Sequence, residues 1–120
     1  MDFYVVMDKW WKEHNFPSMP LDILPQKVFI YNNGSEDTYC CTMYETDSLL
    51  AWVAWQISNP NVKSNKDELK DIFDAMTVYA KNLGYKLLFT TTKQKTVTDK
   101  LLESGFNIGD DNVNHYLKSI

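Results

Sequence analysis

A chain of 120 residues, 44% hydrophobic and 14% aromatic, has apolar material for one real core and too little length for two comfortable ones. Residues 1–120 are therefore expected to form a single domain. A formal net charge of −4 disfavours nucleic acid as the main partner, because phosphate contacts need clustered cations. All 12 cations are lysine, so anions can be held by point charges and backbone but not by bidentate guanidinium forks.

The opening "MDFYVVMDKWWKEHNF" reads as a helix. Phe3, Val6, Met7, Trp10 and His14 recur at three-to-four-residue spacing, with Asp8, Lys12 and Glu13 on the far side. It lacks the basic segment and apolar run of a secretory signal, and no stretch approaches the ~20 apolar residues of a membrane span. Its few cations and its acids favour packing on a sheet over lying on a membrane. A soluble, cytoplasmic protein with no membrane partner is expected. Pro17, Pro20 and Pro25 then predict a stiff extended connector, "FPSMPLDILPQ".

Three strands follow. "KVFIY" ends at "NNG", a hairpin signal because Asn33 and Gly34 tolerate positive φ. "DTYCCTMYET" comes next and turns at Asp47-Ser48. "LLAWVAWQIS" is apolar on both faces, Leu49, Ala51, Val53, Trp55 and Ile57 against Leu50, Trp52 and Ala54, which predicts a central strand covered on both sides. Cys40 and Cys41 are neighbours on a strand, so they point to opposite faces and read as two small buried hydrophobes in a reducing compartment.

From Lys66 to Leu83 the period changes. Leu69, Ile72, Phe73, Met76, Tyr79, Ala80 and Leu83 make a helical stripe, Asn65 and Glu68 have capping-box spacing, and Gly84 is placed to stop the helix. "YKLLFTT" predicts a strand, "TVTDKLLES" a short helix ended by Gly105, and "VNHYLKS" a last strand. The expected fold is a mixed α/β (α+β) domain: an N-terminal helix, an antiparallel three-strand meander, then β-α-β-α-β around a mixed central sheet. The parallel crossover in it should be right-handed. His14, His115 and the two cysteines lack zinc-site spacing, so no metal is expected. The lysines of "TTTKQKTVT" read as a solvated loop.

That order, with "WWKEHNFPSMPLDILP", "YETDS" at 44–48, "ISNP" at 57–60 and "KNLGYKLLFTTT" leading to "LLESGF", resembles the GNAT superfamily of acyl-CoA N-acyltransferases, in particular the short GNAT-like proteins of tailed bacteriophages. The resemblance spans nearly the whole chain and rests on order and spacing. It implies acetyl-CoA (acyl-CoA) as cosubstrate, its pantetheine arm lying where the central strand and the next parallel strand splay apart. The backbone around Gln56, Ile57 and Ser58 would pair with pantetheine amides.

The family's pyrophosphate loop, Arg/Gln-x-x-Gly-x-Gly/Ala, falls on Lys63, Lys66 and Glu68. One cation is kept and both small positions are lost, so side chains stand where phosphate would approach bare amides. Lys63, Ser64, Asn65 and Lys66 are the candidates for gripping the diphosphate, set against an ordinary capped helix start with solvated lysines. The position of the family's tyrosine acid is Leu101, and that of a frequent asparagine is Lys95. Tyr116 or Tyr44 would have to serve as acid, and Glu45 as base, although tyrosines on strands usually pack their rings. The expected function is acyl-CoA binding with acyl transfer to an unknown amine. The rival is a catalytically inactive GNAT-fold module, such as a phage accessory or virion-associated protein of the infected host cytoplasm, with a homodimer or virion proteins as partners.

Overall fold

In the computed structural model, which describes residues 3–16, 21–92, 94–110, 112–114, 116–118 and 120, helix α1 spans Phe3–Glu13. Strands β1 (Lys27–Asn32), β2 (Asp37–Tyr44) and β3 (Leu50–Ser58) follow, then helix α2 (Lys66–Asn82), strand β4 (Leu87–Phe89) and helix α3 (Lys95–Glu103). The strands form one sheet in the order β1-β2-β3-β4, antiparallel except for the parallel β3–β4 pair. The chain is thus the mixed α/β domain that its changing periodicity implies.

Local chemistry explains the turns. Between β1 and β2, the Asn32 side chain accepts the Gly34 amide at 2.8 Å, the Asn33 side chain accepts those of Ser35 and Glu36, and Gly34 takes a φ of 100°. Helix α2 ends where Gly84 adopts a φ of 94° and the Tyr85 amide reaches back to the Ala80 carbonyl at 3.0 Å. That C-terminal turn delivers the chain directly into β4, where Leu49 O accepts the Lys86 amide at 2.8 Å.

The two sheet faces are covered separately. Against α2 and α3 lie Cys41, Met43, Ala51 and Val53, packed on Leu69, Phe73, Met76 and Leu101. Against α1 lie Cys40 and Ile57, packed on Met7 and Trp10. Each large side chain removed from water in this way contributes ~1.5–3 kcal/mol before ordering costs.

Three sequence expectations are corrected. The segment 21–23 winds into a single 3-10 turn in place of an extended connector, while Pro17 and Pro20 lie outside the described residues. The last strand does not form: residues 113–114 and 116–118 carry no strand, and His115 lies outside the described residues. The neighbouring edge strand in chain order, β4, is three residues long and offers a short ladder for a further strand. Third, β3 does not alternate regularly. Its register passes from Cys40↔Ile57 to Thr42↔Ala54, leaving Trp55 and Gln56 opposite Cys41 alone. This bulge turns Trp55 to a φ of 59°, a rare conformation for a bulky residue, and moves Ile57 to the α1 face, away from Ala51 and Val53.

Burial raises both cysteine thiols above their ordinary value of 9.0, Cys41 to about 12. Above about pH 9 the unfolded chain loses these protons while the folded chain keeps them, so stability must fall as pH rises, by up to about 1.4 kcal/mol per pH unit per thiol. Urea unfolding at about pH 8 and about pH 10 should show this fall, and a Cys40→Ala/Cys41→Ala variant should show a shallower one.

Candidate ligand groove

The parallel ladder between β3 and β4 is short: Leu50↔Leu87, Ala51↔Leu88 and Trp52↔Phe89. One residue further, Thr90 Oγ1 donates to the Val53 carbonyl at 2.8 Å, a side chain taking the place of a strand amide. β3 continues to Ser58 while the other chain leaves it, and among the described residues no strand pairs with that edge beyond Trp52. The gap between β3 and Thr91, Thr92, Gln94, Thr96 and Val97 is a groove of about 380 Å³.

Val53, Leu69 and Val97 give this groove an apolar floor, and Thr91, Thr92 and Gln94 form one rim. Of the residues singled out from sequence, Gln56, Ile57, Ser58, Ser64 and Lys66 line it. Lys63 and Asn65 are exposed and lie outside the lining. The Ser58 carbonyl is already engaged: His14 Nε2–H donates to it at 2.9 Å, which ties the end of α1 to the end of β3. Ser64 Oγ donates to the Tyr39 hydroxyl at 3.1 Å.

The mouth of α2 is filled by its own cap. The Asn65 side chain accepts the Asp67 amide at 2.9 Å, and Glu68 Oε1 accepts the Asn65 amide at 2.8 Å. The other oxygen of Glu68 accepts the Thr38 hydroxyl at 2.6 Å, so the carboxylate is held from both sides at 9% exposure. These are the donors that a diphosphate would need, and a carboxylate sits among them. Asp67 is paired with Lys100 at 2.9 Å, and hydrogen bonding to Asp67 and then Glu103 raises the Lys100 ammonium above its ordinary value. The capping box anticipated from Asn65 and Glu68 is present, and it engages the Asn65 and Asp67 amides.

The proposed acid and base groups do not converge on the groove. Tyr116 is 88% exposed on the tail. Glu45 is exposed beyond the end of β2. The Tyr44 hydroxyl is committed, donating to the Ile23 carbonyl at 2.9 Å and accepting Trp55 Nε1–H at 2.7 Å. Leu101 is buried in the α2 core, and Lys95, at the start of α3, pairs with Asp99.

Sequence reasoning missed the roles of Trp11, Thr91, Thr92 and Gln94 in the lining. Trp11 sits beside the helical stripe that drew notice to Trp10, Thr91 reads as the end of the strand "YKLLFTT", and Thr92 and Gln94 fall in the stretch read as a solvated loop. The half-buried state of the two threonines depends on where α3 packs, which no local pattern encodes. Among the described residues, no group of three or more His, Cys, Asp or Glu is placed to hold a metal, and no helix is long and apolar enough to cross a membrane.

Among solved structures, a single-substitution mutant of TTHA1254 from Thermus thermophilus matches with a TM-score of 0.70 at 12% identity, over 97% of this chain and 93% of its own. Wild-type TTHA1254 from the same organism matches with a TM-score of 0.64 at 13% identity, over 82% of this chain and 78% of its own. At these identities the likeness establishes the shared fold alone. No protein-family model matches the chain, and no curated protein does.

Glu68→Ala should lower the unfolding free energy by about 1–3 kcal/mol, because the fully buried Thr38 hydroxyl loses its acceptor and the helix loses half its cap. Glu68→Gln, which retains an acceptor oxygen, should recover much of that loss in chemical denaturation.

Proposed function

We propose that this chain is a GNAT-like protein that binds an acyl-CoA, with the pantetheine arm in the groove between β3 and the start of α3. The observation that carries the reading is the early end of the β3–β4 ladder at Trp52↔Phe89 beside a β3 edge that runs on to Ser58. A slender amide-bearing tail fits such an edge, because it can pair with strand backbone while its methylenes rest on Val53, Leu69 and Val97. Lys66 is the cation among the described lining residues and would meet the diphosphate end.

Transfer to an amine would join the amine nitrogen to the thioester carbonyl carbon and break the C–S bond, the ammonium nitrogen losing two protons in all, one ending on the departing thiolate and one released to water. The second reading is a catalytically inactive module of the same fold, such as a phage accessory or virion-associated protein. The closed α2 cap and the committed Tyr44 hydroxyl favour it for the transfer step, since they leave phosphate few free amides and sulfur no poised acid.

Calorimetric titration with acetyl-CoA, followed by an assay for free thiol with a mixture of amines, separates these readings. Binding is expected, with Lys66→Glu weakening it about threefold to tenfold and Lys63→Glu having a smaller effect. Binding without thiol release would assign the protein to the inactive module. Absence of acetyl-CoA binding up to millimolar concentration would refute the acyl-CoA reading altogether.

A further inference from the structure

The mouth of α2 and the groove beside it treat a phosphorylated ligand differently. At the mouth, three amides are engaged inside the protein. Glu68 Oε1 accepts the Asn65 N–H at 2.8 Å, the Asn65 side chain accepts the Asp67 N–H at 2.9 Å, and the Asn65 carbonyl accepts the Glu68 N–H at 3.0 Å. The Ser64 hydroxyl is given to Tyr39. Two carboxylates, Asp67 and Glu68, stand in the same first turn, and the chain has no arginine to hold a diphosphate in a bidentate fork. A diphosphate placed here meets engaged donors and like charge where a phosphate-binding turn offers bare amides.

The groove carries another set of groups. Lys66 is the only charged side chain among its described lining residues. The β3 edge runs on to Ser58 above a floor of Val53, Leu69 and Val97, and Thr91, Thr92 and Gln94 bring hydroxyl and amide groups to the rim. A pantetheine arm has amides for the strand edge, a hydroxyl for the rim and methylenes for the floor. One lysine then remains for one phosphate.

We infer that this site recognises a 4′-phosphopantetheine thioester by its arm and a single phosphate, and leaves the second phosphate and the 3′-phosphoadenosine of a CoA ungripped. The inference rests on the acyl-CoA reading for the arm in the groove and goes beyond it in excluding the nucleotide from recognition. Further phosphates bring more negative charge to a chain that already carries −4, with no second cation in the described lining to receive it. The same arm and phosphate occur in a free thioester and, as a phosphodiester, on a carrier protein.

The test is calorimetric titration of the full chain with acetyl-pantetheine, acetyl-4′-phosphopantetheine, acetyl-CoA and an acetylated acyl carrier protein. Acetyl-4′-phosphopantetheine should bind within about threefold of acetyl-CoA and about threefold to tenfold tighter than acetyl-pantetheine. Lys66→Ala should lower acetyl-4′-phosphopantetheine to the affinity of acetyl-pantetheine. Acetyl-CoA binding more than about tenfold tighter than acetyl-4′-phosphopantetheine would overturn the inference and leave the acyl-CoA reading intact. Equal binding of acetyl-pantetheine and acetyl-4′-phosphopantetheine would overturn it as well, and both comparisons need only the unaltered protein. Acetyl-4′-phosphopantetheine binding without acetyl-CoA binding upholds the inference and refutes the acyl-CoA reading, whereas binding of none of the four overturns both. With the single phosphate upheld, a carrier protein that binds tighter than the free arm assigns the ligand to the carrier, and one that binds more weakly assigns it to the free thioester.

Discussion

The hydrogen bond from Thr90 Oγ1 to the Val53 carbonyl marks the point on which the candidate site depends. A parallel ladder gains from every added backbone pair, so two adjacent strands stay together unless something satisfies the freed groups. Here a threonine hydroxyl takes a β3 carbonyl in place of a β4 amide, and the chain is released toward α3. The groove beside β3 follows from that release. β3 keeps an open edge to Ser58, α3 packs far enough away to leave room, and the first turn of α2 stands over the gap.

Opposite that edge, the bulge at Trp55 and Gln56 has a comparable effect on the other face. Two residues standing against Cys41 reverse the alternation, so that Ile57 reaches the α1 core and Trp55 joins Trp11 at the groove. The same strand thereby serves the α2 core through Ala51 and Val53 and the α1 core through Ile57. A strand without the bulge would send Ile57 toward α2, and α1 would lose part of its seat. Fold stability and groove shape are coupled through one irregularity.

The helix mouth and the groove point in different directions chemically. Asn65, Glu68 and Thr38 form a closed set of hydrogen bonds that stabilises the start of α2 and occupies its anion-binding donors. A glycine-rich version of this turn would leave those amides free at the cost of a looser helix end. The groove beside it remains open, apolar at its floor and aromatic on the α1 side. The arrangement favours a ligand held by strand edge and aromatic surface over one held by its phosphates.

Much of this was written in local pattern. The stripe from Leu69 to Ala80, the Asn65–Glu68 cap, the stop at Gly84 and the "NNG" turn are all short-range devices, so the amino-acid order alone determined the helices, the meander and the mixed sheet class. The capping of α2 was legible too, since Glu68 stands three residues after Asn65. What only tertiary structure decided involves partners distant in sequence. The Trp55 bulge depends on the register against Cys41, and the half-buried state of Thr91 and Thr92 depends on α3. The occupation of Tyr44 depends on Ile23. Hydrogen bonds and burial across such separations are set by packing geometry, which side-chain periodicity along one strand or helix does not carry.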